Sequence, residues 1–396
     1  MISAALEEWV KSTLENKKAK INQQNMQLSQ LTIVVPSFCR KEYLLRQVVY
    51  WSFSSTTIII VDGSPVPLDS HLVGLISGVP NINYISLIDS YVDRLKEACK
   101  HIKTPYAMCL ADDDICSMAG LSLAIDHLNK SSDIVACMGQ VVGVDYDQEK
   151  MCSYFFPYGD SLEDYQVKHN DPISRIHFGI DDYRTATSYA VFRTSIFINV
   201  WSGLQRTSCL EATEYEHAIA TYILGSLDTI SNVYWLRSFE CDSVDSLIDG
   251  TRKTNFHTWW TRKEYEQERV DFVRRLAIKL SKNSSLNLEN SSKEIIRVID
   301  YILEVRHTGL MNRNRSAILL EFMLRLIKYF PLMYKFFVVF ESTKIGSVIR
   351  SLVIAGIRGA AVEPVEATKY RMTDQSSLEP RDVLEFISSF HAAQGD

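Results

Sequence analysis

The chain has no uninterrupted apolar run of about 20 residues, the length that a bilayer-crossing helix needs, so a soluble or peripheral protein is expected. Its first residues lack the basic-then-apolar order of a secretory leader, because Glu7, Glu8, Lys11 and Glu15 interrupt them. No C-x-x-C pair and no zinc spacing occurs among Cys39, Cys99, Cys109, Cys116, Cys137, Cys152, Cys209 and Cys241, most of which sit inside apolar runs. They read as small reduced core residues, which points to a cytoplasmic compartment. The loops G-x-G-x-x-G and G-x-x-x-x-G-K-[ST] are also missing, so no nucleotide is cradled by glycines at a helix start. Positive charge is not in excess either: Lys and Arg number 42 against 48 Asp and Glu, a net charge of −6, which argues against a nucleic-acid binder. A mildly acidic chain can still bind an anionic nucleotide where a metal ion supplies the local positive charge.

What is present is ample for a packed core: 396 residues, 46% of them apolar, enough for two domains with terminal additions. Residues 1–30 read as an accessory helix with an apolar stripe at Leu6, Val10 and Leu14, then a Gln/Asn-rich linker. The helix would dock elsewhere on the chain or pair with a second copy. From Leu31 strands and helices alternate. Leu31 to Val35 reads as a strand stopped by Pro36, Lys41 to Trp51 as a helix, and Thr57 to Val61 as a β-branched strand followed by the turn signal Asp62-Gly63-Ser64-Pro65. Asn81 to Leu87, the central strand from Tyr106, and Asp133 to Met138 complete the set, with helices predicted over Ser90 to Lys103 and about Ala119 to Asn129. This alternation implies an α/β, Rossmann-like and mostly parallel sheet with right-handed crossovers.

The stretch Tyr106 to Ile115 is central, since a short apolar strand ends there in Asp112, Asp113 and Asp114. In an open α/β sheet ligands bind beyond such strand ends, and carboxylates suit hard cations such as Mg²⁺ or Mn²⁺. On an extended segment Asp112 and Asp114 would face one way and share a metal. The alternative is a solvated acidic turn, with Asp112 or Asp113 capping the next helix.

Three motifs, Val34-Val35-Pro36-Ser37-Phe38-Cys39-Arg40, Val61-Asp62-Gly63-Ser64 and Leu110-Ala111-Asp112-Asp113-Asp114, resemble in order and spacing the signature of GT-A nucleotide-sugar glycosyltransferases, in particular family 2. The match covers about residues 31–240, and Phe38 and Cys39 depart from the usual Tyr and Asn of the first motif. The resemblance implies a GT-A catalytic domain over 31–262, with a nucleotide-binding half 31–138 and an acceptor half 139–262. A C-terminal α-helical domain over 263–360 and a polar tail over 361–396 with a short helix near Val383 to Phe390 would follow. It further implies that Pro36 and Ser37 line the nucleotide pocket, that Arg40 reaches ribose or phosphate, and that Asp62 accepts a hydrogen bond from the base. Asp112 would face the ribose or sugar, beside Asp113, and Asp114 would ligate the Mn²⁺ or Mg²⁺ that bridges the diphosphate. Arg94 would contact phosphate or pair with Glu97, and Asp62 could equally be a turn residue bonding its own backbone.

Glu211-Ala212-Thr213-Glu214-Tyr215-Glu216-His217 opens a helix running to Leu224. In family 2 an acidic pair followed by Tyr stands here, and the resemblance makes Glu214 the general base, although Thr213 and Glu214 depart from the usual residues. Glu211 and Glu216 are alternatives. Between residues 139 and 200, Tyr154, Phe155, Phe156, Tyr158 and Tyr165, then Arg175, His177, Asp181, Asp182 and Arg184, could wall a sugar site or simply pack. Val233 to Phe239 reads as an edge element. Residues 241–262 have the composition of a lid, in which Arg252 and Lys253 would clamp phosphate; the GT-A resemblance implies that His257 completes the metal site, the alternative being a solvent-exposed loop histidine. The basic, aromatic-rich helices between Arg306 and Arg358 would pack as a bundle, join two copies, or lie on an anionic membrane face where lipid-linked acceptors reside. The resulting expectation is an inverting, metal-dependent transferase using a nucleotide-sugar donor, a UDP-sugar by preference, and a glycan or lipid-linked acceptor in bacterial surface polysaccharide synthesis. A GT-A scaffold without turnover is the alternative from another class, and a nucleotidyltransferase a third.

Overall fold

A computed structural model of the chain describes residues 2–16, 27–147, 150–155, 162, 165–240, 254–304 and 379–394. Leu31–Ser37 (β1) and Thr57–Asp62 (β2) are rich in β-branched residues, stiff side chains that fit a pleated surface better than a helix. They pair in parallel with each other and with Ile82–Ser86 (β3) and Tyr106–Cys109 (β4), in the order β3-β2-β1-β4. Ala4–Asn16 (α1) precedes the sheet, and Lys41–Trp51 (α2), Ser70–Ser77 (α3) and Tyr91–Cys99 (α4) make the crossovers. Both faces of β1 and β2 are buried, as a sheet covered on both sides requires.

Pro36 does not stop β1. The strand continues to Ser37, pairing Pro36 with Val61 and Ser37 with Asp62. Val34 O accepts from Leu110 on the β4 side and Ser37 O accepts from Gly63 on the β2 side. Backbone polar groups alternate sides along a strand, so the N–H that Pro36 lacks would point toward β4 beyond the end of the β1–β4 ladder at Val34.

The second half adds Ile115–Cys116 (β5), Met118–Lys130 (α5), Ile134–Asp147 (β6), Lys150–Phe155 (β7), Pro172–Asp181 (α6), Val191–Arg193 (β8), Thr194–Trp201 (α7), Leu210–Leu224 (α8) and Ser226–Ser238 (β9). The sheet continues β4-β8-β6-β9-β5, with β7 on β6. β8 runs antiparallel to both neighbours, whereas β6 and β9 are parallel. The expected α/β, Rossmann-like class is therefore observed, with its parallel half in β3-β2-β1-β4 and helices following at the C-terminal side. The predicted edge element Val233 to Phe239 is not a closing edge: all of it but Phe239 belongs to β9, inside the sheet between β6 and β5. Two glycines permit that placement, since a Cβ on Gly120 would lie 2.4 Å from Val233 O and one on Gly139 2.5 Å from Asn232 O.

Ser90 caps α4 and Ser117 caps α5 by accepting a backbone N–H, so neither Asp112 nor Asp113 serves as the cap. The N-terminal helix docks on its own chain. Leu6 and Val10 are buried, and Trp9 meets Phe386 and Phe390 of helix Glu379–Gln394 at ring distances of 5.6 and 5.9 Å. That C-terminal helix is an integral part of the core, with Val383, Ile387 and Phe390 buried. Helices Phe256–Thr261, Glu266–Asn283 and 288–304 pack beside α6 and α8, through contacts such as Glu216 to Arg275 and His177 to Glu294. Among the described residues no helix is long and apolar enough to cross a membrane. The clamp residues Arg252 and Lys253, the aromatics Phe156 and Tyr158, and the basic region between Arg306 and Arg358 lie outside the described residues.

Candidate active site at the strand exits

The chain runs from β1 outward through β2 and β3, then returns to β4 on the other side of β1, so the sheet's switch point lies between the carboxyl ends of β1 and β4. The three motifs meet there. Ser37 Oγ donates to Asp112 Oδ2 at 2.8 Å, and Arg40 Nη1 lies 3.0 Å from Asp112 Oδ1 and 2.8 Å from Asp113 Oδ2.

The aspartates form a turn, with Asp114 N–H donating to Ala111 O at 3.2 Å. The extended-segment expectation, in which Asp112 and Asp114 share a direction, is overturned. A turn rotates successive side chains where a strand alternates them. Asp112 and Asp113 converge on Arg40, while Asp114 Oδ1 accepts from Ser238 N at 2.8 Å at the end of β9. Helix α2 holds the turn's backbone: Gln47 Nε2 donates to Asp112 O at 2.9 Å and Asp114 O at 2.5 Å, Arg46 Nη2 to Asp113 O at 2.5 Å, and Tyr50 OH to Cys116 O at 2.8 Å. Sequence reasoning missed these supports, although polar Arg46 and Gln47 on an otherwise apolar helix face were the available signal.

Burial and then the neighbouring Asp113 push the Asp112 carboxyl up to about 6, against the pull of Arg40 and Ser37. The same two causes raise Asp114 well above the carboxylate range, opposed by the Ser238 N–H and by Arg237. This is an all-oxygen set of three acids, two of which share the Arg40 guanidinium, and carboxylate oxygens suit a hard divalent cation. Among the described residues no three His, Cys, Asp or Glu side chains are grouped to hold a metal by themselves. An ion there would take the remaining oxygens from a ligand, as Mg²⁺ does with one or two carboxylates plus phosphates. His257 is exposed on helix Phe256–Thr261 and is not brought into any such group with the aspartates.

Asp62 is 1% exposed and held from both sides. Oδ1 accepts from Ser64 N at 2.9 Å and Ser64 Oγ at 2.5 Å, and Oδ2 accepts from Tyr84 OH at 2.8 Å. The turn-forming role is thus realised, and Ser64 Oγ in turn accepts from Cys39 N at 2.8 Å, joining the β1 and β2 exits. Cys39 sits at φ 56°, the left-handed region, which lets the chain double back into α2. Arg94 does not pair with Glu97, whose carboxylate contacts Lys100 and His101. It lies buried behind the site and donates to Ser37 O and, at 3.4 Å, to Val61 O. Gly63 packs against it closely: a Cβ there would lie 2.8 Å from Arg94 Cδ, so a larger residue would have to move the Arg94 side chain. Pro36 is half-buried next to Ser37.

The three acids of α8 have different surroundings. Glu216 is 2% exposed and forms a two-point pair with Arg275, Oε1 to Nε at 2.6 Å and Oε2 to Nη2 at 2.7 Å. Glu211 Oε2 accepts from Phe256 N at 2.8 Å, fixing the start of the next helix. Glu214 is half-buried, and its charge contributes to raising the Tyr91 hydroxyl, after burial and nearer groups. Tyr91 OH in turn lies 3.8 Å from Cys109 Sγ at the end of β4. Glu211 and Glu216 are thus bonded to the two helices packed on α8, and Glu214 lies half-buried on the same helix.

The middle-segment polar residues have partners within the protein. Arg175 donates to the carbonyls of His169, Asn170, Tyr222 and Ile223, His177 meets Glu294 at 2.6 Å, Tyr301 bonds Asp181, and Arg184 meets Asp182 at 2.7 Å. Two cavities of about 290 and 500 Å³ flank the Glu216–Arg275 pair along helix Glu266–Asn283, neither lined by the aspartate turn, Asp62 or Glu214.

No family model and no curated protein matches the chain. Among solved structures the chain is similar to S. aureus TarS 1–349 crystallised with UDP, at 12% identity and a TM-score of 0.46, and with UDP-GlcNAc, at 12% identity and a TM-score of 0.47. In both, 69% of this chain and 72% of that chain are covered. A likeness at that level carries nothing about substrate or chemistry, which must be read from the residues.

Proposed function

We propose that this chain is a glycosyltransferase that moves a sugar, with inversion, from a nucleotide-diphosphate donor, a UDP-sugar by preference, to a hydroxyl of a glycan or lipid-linked acceptor, in bacterial surface polysaccharide synthesis. The observation that carries the reading is the meeting of the Ser37–Arg40, Asp62 and Asp112–Asp114 motifs at one switch point, with Ser37 and Arg40 bonded to Asp112. In this reading the nucleoside lies over the β1 and β2 exits near Pro36, Ser37 and Asp62. Arg40 offers a guanidinium to ribose or phosphate on release from the acids it bridges. A Mn²⁺ or Mg²⁺ ion held by Asp114, with its remaining oxygens drawn from the donor, would supply positive charge for the departing diphosphate, and Asp112 would face the ribose or sugar. Glu214 accepts the acceptor hydroxyl's proton on a carboxylate oxygen as that oxygen bonds the anomeric carbon and the bond from that carbon to the diphosphate oxygen breaks.

One observation favours a second reading, a GT-A scaffold without turnover. Arg40 already neutralises Asp112 and Asp113, and Thr213, where the family carries an acid, is 5% exposed and lies 3.3 Å from the Thr207 hydroxyl. A screen of nucleotide sugars with Mn²⁺ or Mg²⁺ separates the two. Cation-dependent donor hydrolysis or transfer that vanishes in Asp114→Ala supports the transferase, tight UDP binding without turnover supports the scaffold, and failure of every nucleotide to bind removes both.

A further inference from the structure

The aspartate turn is tied to the far end of the chain through one buried arginine. The Arg46 side chain is 1% exposed and has four partners, a carbonyl, a carboxylate and two aromatic rings. Nη2 donates to Asp113 O at 2.5 Å, Nη1 to Glu240 Oε2 at 2.6 Å, and the guanidinium carbon lies 5.0 Å from the Phe390 ring centre and 4.6 Å from that of Tyr43. Glu240, equally buried, stands two residues beyond Ser238, whose N–H holds Asp114 and whose Oγ donates to Glu240 Oε2 at 3.2 Å. The remaining oxygen, Glu240 Oε1, lies 3.1 Å from His391 Nε2. Phe390 and His391 both belong to helix Glu379–Gln394, which also meets Tyr43 and Tyr50 of α2 at ring distances of 5.7 and 5.2 Å.

A buried Arg–Glu pair is a weak source of net stability, because desolvation of both charges offsets their attraction. Its use is geometric. A planar guanidinium clamped between a carboxylate and an aromatic face can aim one N–H at a single carbonyl, here that of Asp113. Phe390 and His391 cover the pair from the side of the C-terminal helix, and Tyr43 faces the same guanidinium from α2.

We infer that helix Glu379–Gln394 is a positioning element for the aspartate turn: Phe390 and His391 lock Arg46 and Glu240, which fix the backbone at Asp113 and the Ser238 clasp on Asp114. The consequence for donor binding rests on the proposed function. The coupling itself does not.

The test uses the full chain and its Arg46→Met and Phe390→Ala variants, with hydrogen exchange read at residues 110–116 and, as a control, at residues 57–62. Exchange across 110–116 is expected to rise about tenfold or more with the control unchanged, and the donor KM to rise about tenfold while kcat falls less than threefold. Arg46→Lys should not restore protection, since one ammonium cannot hold both partners. If Phe390→Ala fails to fold, Phe390→Leu keeps most of the volume, loses the aromatic face, and is expected to show a smaller rise in the same segment. Unchanged exchange at 110–116 in folded variants overturns the inference. Faster exchange in a protein that binds no nucleotide would leave the coupling standing and remove the proposed function instead.

Discussion

Exchanging one carboxylate oxygen for an amide nitrogen at Glu214 and at Glu216 should give opposite phenotypes, although the two residues lie on the same two turns of α8. Glu216 is 2% exposed and makes both its bonds to Arg275, whose side chain is 20% exposed. Removing one partner of a fully buried pair costs about 3–5 kcal/mol. Arg275 can turn part of its charge toward water, and burial already raises the Glu216 carboxyl despite Arg275, so its charged form is less favoured there. Both effects lower the expected cost of Glu216→Gln, to about 2–3 kcal/mol. Glu214 is half-buried and its isosteric exchange should change stability by less than about 0.5 kcal/mol, while loss of the base lowers transfer on the order of 10²-fold or more. Urea unfolding and initial rates at saturating donor, measured on both variants, decide the matter. If Glu216→Gln loses transfer at unchanged stability, or Glu214→Gln transfers normally, the base is not Glu214 and the assignment moves to its neighbours.

Burial lowers the His217 imidazole from 6.5 to about 3, and neither ring nitrogen has a hydrogen-bond partner in its nest beside Trp201 and Phe192. The unfolded chain therefore binds the extra proton between those values. The stability linked to this group is complete above about pH 6.5 and is lost as the pH falls toward 3, by about 2 kcal/mol at pH 5; His217→Leu should remove that part of the slope in denaturation at pH 7.5 and 5, and an unchanged slope would refute it. Asp114→Asn keeps the oxygen that accepts from Ser238 and removes a charge disfavoured by burial, so its melting temperature without divalent cations should equal or exceed the wild type's, while cation-dependent UDP binding by calorimetry disappears. Gly120→Ala, a stabilising exchange in an ordinary helix interior, should here destabilise by on the order of 3 kcal/mol in urea unfolding, because the added carbon would meet the backbone of Val233 and Tyr234 at 2.4 and 2.6 Å.

The partners of the three acids on α8 were not legible before the fold was known. Spacing put Glu211, Glu214 and Glu216 on one short stretch, and only the packing of helices Phe256–Thr261 and Glu266–Asn283 on α8 consumed the first and the third. Arg94 shows the same limit: its spacing from Glu97 allowed a helix-surface pair, yet its reach carried it under the strand exits to Ser37 O.

The sequence by itself determined most of the local alternation of strands and helices from Leu31 to Lys130, helix α3 being the element it did not reveal, and the three motifs at strand ends, because β-branched runs, serine caps and Asp-Gly turns act over a few residues and need no distant partner. It did not determine that β8 enters antiparallel between β4 and β6, that β9 lies inside the sheet, or that the C-terminal helix reaches Arg46. Those choices are made by contacts between residues far apart in the chain: Gly120 and Gly139 against β9, and Phe390 against a guanidinium. Such contacts depend on the shape of both surfaces at once, and neither surface exists until the chain has folded.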